Sequence, residues 1–207
     1  KKGMENILRL CPDMNISVAE NTIDLEEFIK FGKQKLKKNL SKTIVLKNKF
    51  HFIYISRIEK EKEPFFALEI IYKLLKSGID VEFSIIGDGS LYKELVERIS
   101  VLELNERVNL YGAITETSKI IDIAKEADFL LHPGIIGLTT LVGLSMGIPI
   151  ITLNSERQMP EFQILEDNYN AIFIDLNSID NTVKKIKQYL EPEKLKEMKN
   201  NSISSIL

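Results

Sequence analysis

The chain has 207 residues, of which 44% are hydrophobic and 28% charged, and its formal net charge at pH 7 is −2. This length suits one well-buried domain with an appendage, and the composition excludes an intrinsically disordered chain. No apolar run approaches the roughly 18 residues of a membrane-spanning helix, and a single cysteine, Cys11, excludes an intrachain disulfide.

The N-terminal segment also carries information on location. It lacks the continuous apolar stretch and the cleavage site of a secretory signal, so we expect a cytoplasmic protein. Cys11 and the two histidines, His51 and His132, do not cluster at metal-ligand spacing, and we therefore expect no structural zinc. The first residue is Lys1 and the sequence opens in mid-pattern, which leads us to expect a piece of a longer chain.

Charge is uneven along the chain. Residues 1–49 carry 11 Lys and Arg against 6 Asp and Glu, whereas the remainder carries 17 against 24. The densest basic run is 33–42, and its positive charge could attract an anionic membrane surface or nucleic acid. No aromatic residues are interleaved for base stacking, which favours the solvated face of a helical linker and no nucleic-acid partner.

From residue 50 onwards, strand-like apolar runs alternate with helical patterns. The segment 65–76, for example, places apolar residues at spacings of three and four, as an amphipathic helix requires. The predicted strands are 50–56, 81–86, 107–112, 127–133, 148–153 and 170–175. The predicted helices are 65–76, 90–101, 118–125, 138–146 and 179–190, with a short helix beginning at 158–161.

This alternation is typical of an α/β fold with a parallel sheet. The strands are almost continuously apolar, which indicates that both faces of the sheet are covered. We therefore predict an open, doubly wound, Rossmann-like parallel sheet of about six strands. In such sheets, ligands bind beyond the carboxyl ends of the strands.

The loop after the first predicted strand places two cations at that edge. Arg57 can bind a diphosphate through its planar fork, and Lys62 can act as a point charge. Charged loops are common, however, so an ordinary solvated loop is the alternative interpretation on spacing alone.

A second glycine-rich turn, 87–90, follows the next predicted strand. It resembles the start of a dinucleotide fingerprint, but Tyr92 stands where the third glycine is required. This departure argues against a dinucleotide oxidoreductase. We interpret the segment as a strand-to-helix turn in which Asp88 helps to cap the following helix.

The segment 132–140 is the most informative one. It joins a buried strand to a helix, and its glycines allow the backbone to approach a ligand closely. The N–H groups of Gly137, Leu138 and Thr139 open that helix, and such an end attracts phosphate. A structural turn without ligand is the alternative.

No general base is evident. His51 lies inside a strand pattern, and His132 stands at a strand end without a carboxylate partner nearby in sequence. Glu161 begins the short helix, where it can simply complement the helix dipole. The missing base fits a domain that binds and orients a substrate.

Taken together, these residues resemble the C-terminal, donor-binding domain of the family 4 retaining glycosyltransferases, which have the GT-B fold and are also described as glycosyl transferases group 1. Six segments match the family in the right order, and 16–28 is similar to its interdomain strand and turn. The matching segments are SRIEKEKEPFFALEIIYKLLK (56–76), IIGDGSLYKEL (85–95), VNLYGAI (108–114), EADFLLHPG (126–134), GLTTLVGLSMGIPII (137–151) and MPEFQILEDNYNAIFI (159–174).

The resemblance implies a two-part organisation and a set of roles. Residues 1–49 would be the interdomain linker and the tail of an absent N-terminal domain, and 50–207 the nucleotide-sugar-binding domain. It implies no metal and no cofactor besides the donor. The implied donor diphosphate site is Arg57, Lys62, Gly137, Leu138 and Thr139, and the implied base or sugar site is Tyr111, Ile114, Gly134 and Glu161.

The sequence departs from the family at two positions. The family usually carries two glutamates eight residues apart, which contact the donor sugar and the ribose, and the aligned residues here are Gly134 and Val142. Similar variants are found among bacterial surface-polysaccharide members, so we interpret the change as a subgroup trait. Sugar recognition must then differ, with Glu161 compensating in part.

The resemblance implies transfer of a hexose from a nucleotide diphosphate sugar to a glycan or lipid-linked acceptor, with retention, in surface polysaccharide synthesis. The acceptor site would lie in the absent N-terminal domain, so we expect this fragment to be inactive alone, and the sequence identifies no catalytic residue. Peripheral association with the inner membrane face is compatible with this function. The alternative is a catalytically degenerate nucleotide-binding or scaffolding module, motivated by Gly134 and Val142.

Overall fold

In the computed structural model, which describes residues 24–41 and 48–207, six parallel strands form one sheet. The strands are β1 (Lys49–Ile55), β2 (Asp80–Ile86), β3 (Val108–Leu110), β4 (Phe129–His132), β5 (Ile150–Leu153) and β6 (Ala171–Ile174). The helices are α1 (Glu26–Ser41), α2 (Pro64–Lys76), α3 (Tyr92–Val101), α4 (Thr117–Ala124), α5 (Thr139–Ser145), α6 (Ile179–Lys187) and α7 (Pro192–Ser204), with 3-10 turns at Lys60–Lys62 and Pro160–Ile164.

The strand order is β3-β2-β1-β4-β5-β6, and every neighbouring pair is parallel. Strands β1 to β3 therefore form one half of the sheet, running outward from its centre. Strand β4 then returns to the centre beside β1, and β5 and β6 extend the other half. Phe52 of β1 stands beside Phe129 of β4 at this switch point. The predicted α/β fold with an open, doubly wound sheet of six strands is confirmed.

The two faces of the sheet are covered by separate apolar layers. One layer packs α2, α3 and α6 against alternate strand residues such as Phe52 and Phe83. The other packs α1, α4 and α5 against the intervening residues, including Ile53 and Leu130. Burial of each such side chain stabilises the fold by about 1.5 to 3 kcal/mol, so the sheet is a rigid platform for the loops at its edge.

Several predicted boundaries were wrong. The predicted strand 107–112 is the three-residue β3, and the short helix predicted at 158–161 is the 3-10 turn Pro160–Ile164. Helix α7 was not predicted, because its sequence is mostly polar and has only a weak apolar stripe. Its apolar side chains are few, and two of them are buried in the first apolar layer. Residues 16–23 of the resemblance to the interdomain segment lie outside the described residues, and 26–28 open helix α1.

Helix α1 contains most of the basic run 33–42 and packs against the sheet domain. Phe28 is 2% exposed in the second layer, and Lys35 Nζ donates to the carbonyl oxygen of Lys125 at 3.0 Å. The run is therefore only partly a solvated face. Among the described residues, no helix is both long and apolar enough to cross a bilayer. The division of the chain at residues 49 and 50 stays a prediction.

Gly32 allows α1 to approach its neighbours closely. A Cβ atom on Gly32 would lie 2.0 Å from the carbonyl oxygen of Ser145 and 2.7 Å from Cδ1 of Ile203. Replacement by alanine normally favours a helix by about 1 kcal/mol. Here the overlap with backbone outweighs that gain, since helix α1 would have to shift away from α5 and α7.

We expect Gly32→Ala to lower the free energy of unfolding by about 2 kcal/mol, as overpacking does. Urea denaturation followed by circular dichroism measures the change. Gln34→Ala, at an exposed position of the same helix, is the matched control and should be neutral or slightly stabilising. Equal stability of the Gly32→Ala variant and the wild type would show that α1 does not dock this closely.

Candidate functional site at the sheet switch point

The loops that follow β1 and β4 meet at the switch point. Lys62 Nζ donates to the carbonyl oxygen of Ile135 at 2.7 Å, and the amide of Ile135 donates to the carbonyl oxygen of Glu61 at 2.9 Å. Thr139 Oγ1 donates to the carbonyl oxygen of Ile55 at 3.1 Å. The structure thus brings together Lys62 and the start of α5, two parts of the predicted diphosphate site.

Tyr54 supports the first of these loops from below. Its hydroxyl lies 3.2 Å from the carbonyl oxygen of Arg57 and 3.4 Å from that of Lys62, and it donates toward both. Its ring stacks on the ring of His132, with centroids 5.4 Å apart. Burial raises the pKa of Tyr54 well above its usual value, so the hydroxyl keeps its proton. Sequence reasoning missed this residue, because a tyrosine inside an apolar strand is usually core.

The two cations have different surroundings. Arg57 is 74% exposed at its side chain and makes a 3.7 Å ion pair with Glu61. Lys62 is partly buried, and this burial lowers the pKa of its ammonium group; the Glu61 carboxylate opposes this shift, and the positive charge of Arg57 adds to it. An ammonium that is partly withdrawn from water gains from an approaching anion.

The turn 87–90 has a structural role. A Cβ atom on Gly89 would lie 2.5 Å from the carbonyl oxygen of Ile58, so only glycine lets this turn lie against the loop after β1. The predicted helix cap by Asp88 was wrong, because its Oδ1 accepts from the adjacent amide of Gly89 at 2.7 Å. Glu59 from the β1 loop binds Ser90 instead, accepting from its amide at 3.0 Å.

Gly134 and Gly137 have contrasting surroundings. Gly134 is buried, and a Cβ atom there would lie 2.3 Å from the carbonyl oxygen of Glu61 and 2.6 Å from Cα of Lys62. Around Gly137 the nearest atoms to such a Cβ are Met159 Cγ at 3.5 Å and a carboxylate oxygen of Glu161 at 3.9 Å. The chain therefore has no room for a side chain at the first position and normal van der Waals space at the second.

The segment after β5 brings Glu161 to the site. Its carboxylate stands beside Gly137, so the structure places together Glu161 and the backbone predicted to contact phosphate. Gln158 of the same segment accepts a hydrogen bond from the amide of Ile136 at 2.8 Å. Sequence reasoning missed Gln158, since only its contact with a distant loop distinguishes it from any polar loop residue.

Tyr111 and Ile114 lie farther along the same edge of the sheet. They follow β3, which stands two strands away from β1, and the amide of Gly87 donates to the carbonyl oxygen of Gly112 at 2.8 Å. The Tyr111 side chain is 44% exposed. The predicted base site is therefore on the same sheet edge as the two cations but is separated from them by the loop after β2.

His132 is a buried, neutral residue. It is 1% exposed, and burial together with the nearby Lys62 charge lowers its pKa to about 3. A group with this pKa stays unprotonated near pH 7. Within residues 24–41 and 48–207, no cluster of three or more His, Cys, Asp or Glu side chains is arranged to hold a metal ion.

We expect Gly134→Ala to lower the free energy of unfolding by about 2 to 3 kcal/mol, because the added methyl group overlaps the backbone of the loop after β1. Gly137→Ala is the matched control and should change stability by less than about 1 kcal/mol. Urea denaturation of the two variants and the wild type measures both changes in the free energy of unfolding. If the two variants lost equal stability, the close approach at Gly134 would be refuted.

The depressed pKa of His132 predicts a pH dependence. An unfolded histidine titrates near pH 6.5, so below that pH the unfolded chain binds a proton that the folded chain does not. Protonation of His132 in the unfolded chain therefore does not affect stability above about pH 6.5. Below that pH the free energy of unfolding falls by about 1.4 kcal/mol per pH unit, down to about pH 3. Urea denaturation between pH 7 and pH 5 measures it.

His132→Phe keeps an aromatic ring against Tyr54 and removes the titrating group. The difference in unfolding free energy between pH 7 and pH 5 should therefore be smaller in this variant than in the wild type. Parallel pH profiles for the two proteins would contradict a neutral buried His132.

Comparison with known proteins gives two kinds of relative. Over 132 residues the chain is 30% identical to the phosphatidylinositol N-acetylglucosaminyltransferase GPI3 subunit of Saccharomyces cerevisiae strain YJM789. That match covers 64% of this chain and 28% of the yeast protein, so the chain spans little more than a quarter of that relative.

Solved structures share the fold at low identity. A mutant of S. aureus TarM, in complex with Fondaparinux, alpha-GlcNAc-glycerol and UDP, superposes with a TM-score of 0.73 at 18% identity over 98% of this chain and 38% of its own. A glycosyltransferase from Rickettsia africae ESF-5 gives a TM-score of 0.70 at 19% identity over 99% of this chain and 56% of its own. Anabaena HepE, in complex with UDP and glucose, gives 0.65 at 18% identity over 91% and 51%.

The family assignment follows from the sequence itself. The statistical model of the family described as Glycosyl transferases group 1 matches residues 36–204, which is well over half of the chain. The fold, with its doubly wound sheet and its switch point between β1 and β4, agrees with this match. The chain belongs to the group 1 glycosyl transferases.

Proposed function

We propose that this chain binds the donor of a hexosyltransferase reaction, in which a hexose moves from a nucleotide diphosphate sugar to a glycan or lipid-linked acceptor with retention. The observation that carries this proposal is the junction of the loops after β1 and β4, where Lys62 reaches the carbonyl oxygen of Ile135 and Arg57 lies within electrostatic reach. Ligands of doubly wound sheets bind at such a junction.

The chemistry we assign to the chain is charge stabilisation. When the bond between the sugar and the diphosphate breaks, negative charge develops on the departing phosphate oxygen. Arg57 and Lys62, together with the amides of Gly137, Leu138 and Thr139, would stabilise that charge. In this proposal the side-chain cations take the part that a metal ion has in other sites, and no cofactor is required.

The relatives suggest which donor to test first. The yeast relative is described as an N-acetylglucosaminyltransferase of phosphatidylinositol, and the TarM and HepE structures contain UDP. We therefore propose a uridine nucleotide and an N-acetylhexosamine or hexose as the first candidates. The chain spans about a quarter of the yeast relative, and we place acceptor binding and the catalytic residues on a further domain.

The cellular setting is also a proposal. A lipid-linked acceptor and a soluble nucleotide sugar meet at the cytoplasmic face of a membrane, so we propose a cytoplasmic protein that associates peripherally with that face. A role in surface polysaccharide synthesis is consistent with a glycan acceptor. We propose no nucleic-acid partner.

Two observations favour a second candidate, a nucleotide-binding or scaffolding module without catalysis. A glutamate at position 134 would overlap the backbone of Lys62, and Val142 is 6% exposed in the second apolar layer. Neither position offers a carboxylate to the donor. Donor hydrolysis or transfer by the complete protein separates the two candidates, because the module would bind donor without turnover.

Calorimetric titration with UDP, GDP and ADP tests the donor site. We expect one nucleotide to bind the chain and both Arg57→Ala and Lys62→Ala to weaken that binding by about 1 to 3 kcal/mol, the usual value for a lost charge-assisted hydrogen bond. Lys62→Ala should have the larger effect, because Lys62 also holds Ile135 of the second loop.

Lys60→Ala is the matched control, since Lys60 is an exposed cation of the same loop. It should change binding only through screened long-range attraction, by a few tenths of a kcal/mol. Absence of binding to all three nucleotides, or equal effects of the three substitutions, would contradict the assigned site.

A further inference from the structure

Gln158 connects the end of β5 to the loop after β4. Its Oε1 accepts from the amide of Ile136 at 2.8 Å, and its Nε2 donates to the carbonyl oxygens of Leu153 at 2.7 Å and Gly134 at 3.3 Å. A single side-chain amide thus uses its acceptor and both of its donor hydrogens. Gln158 lies at intermediate burial, where partly excluded water makes such bonds worth more than on an open surface.

The loop after β4 is held alternately from two sides. Residue 135 is bound by the β1 loop, through its amide to Glu61 and through its carbonyl oxygen to Lys62. Residues 134 and 136 are bound by Gln158. Gln158 is the side chain that binds the carbonyl oxygen of Gly134 and the amide of Ile136.

The same segment carries Met159 and Glu161 over Gly137. A shift of Gln158 relative to the loop would therefore move the Glu161 carboxylate away from Gly137 and also release the backbone that leads into α5. Three polar contacts fix the planar amide of Gln158. The segment after β5 therefore has little freedom to shift relative to the loop after β4.

We infer that Gln158 is a positioning residue for the donor site: it fixes the loop 134–137 and Glu161 relative to each other, so that a nucleoside diphosphate meets an ordered site. This inference rests on the proposed function for its ligand, and on the three hydrogen bonds for its geometry. Gln158 acts through the loop and through Glu161, and contact with the donor is not required of it.

The first experiment compares Gln158→Met with the wild type. Methionine has a similar length and no hydrogen-bonding amide, so the variant loses all three contacts with little change in volume. We expect faster hydrogen–deuterium exchange in a peptide covering 134–137 and about tenfold weaker binding of UDP, with the exchange of the β1 to β3 strands unchanged. Gln163→Met, at an exposed position of the 3-10 turn Pro160–Ile164, is the matched control and should change neither quantity.

A second variant gives a pH signature that a general loss of packing would not give. Gln158→Glu keeps an acceptor for the Ile136 amide but places a carboxylate oxygen against two carbonyl oxygens, which raises the pKa of the introduced acid. Below that pKa the acid can donate one hydrogen bond again. The UDP affinity of this variant relative to the wild type should therefore rise as pH falls from 8 to 5.5.

The two readouts separate the inference from the proposed function. If the wild type binds none of UDP, GDP or ADP, the proposed function fails, and the exchange of 134–137 in Gln158→Met alone decides the positioning role. Unchanged exchange in that peptide overturns the inference whatever the nucleotides do. So does faster exchange with unchanged UDP affinity, or a pH-independent affinity ratio for Gln158→Glu if that variant folds and binds.

Discussion

The site depends on one close approach between two stretches of backbone. At Gly134 the chain passes so near to Glu61 and Lys62 that even a methyl group would overlap them. That approach allows the loops after β1 and β4 to exchange hydrogen bonds in both directions through Ile135. The same junction fixes Lys62 against the second loop, whereas the Arg57 side chain stays 74% exposed.

The close approach also determines the chemistry beneath the loops. Tyr54 and His132 stack under the junction, and both are buried, so each is held in its neutral form at physiological pH. Because Tyr54 and His132 are neutral, neither of them places a negative charge beside the ammonium group of Lys62. The ion pair between Arg57 and Glu61 is long and exposed, and such pairs hold their charges only weakly. Arg57 and Lys62 therefore remain available to an anion that approaches the junction.

The sequence predicted the parts of this structure that repeat along the chain. Six apolar runs alternating with helices were enough for the sheet, and the spacing of the glycines located the turns at its edge. Helix α7 escaped prediction because its buried residues, including Leu195 and Met198, are few among polar ones. Gln158 was missed because its partners Ile136 and Gly134 are 22 and 24 residues away in sequence. Tyr54 was missed because its hydroxyl binds backbone carbonyl oxygens of the following loop, at residues 57 and 62, and an apolar strand pattern does not show such contacts. Periodicity reports which face of an element is buried, but it does not report which loops meet.

The resemblance described above implies a glutamate where this chain has Gly134, and the structure leaves no room for one. A glutamate at that position needs a loop far enough from its neighbour to admit a side chain, whereas this chain has closed the gap and filled it with backbone hydrogen bonds. A carboxylate nevertheless stands close by, because the segment after β5 carries Glu161 to Gly137. In this arrangement the negative group comes from a different strand end, and its position depends on the contact that Gln158 makes with the loop rather than on the loop itself. A glycine at position 134 and a carboxylate at the sheet edge, from Glu161, therefore occur together in this fold.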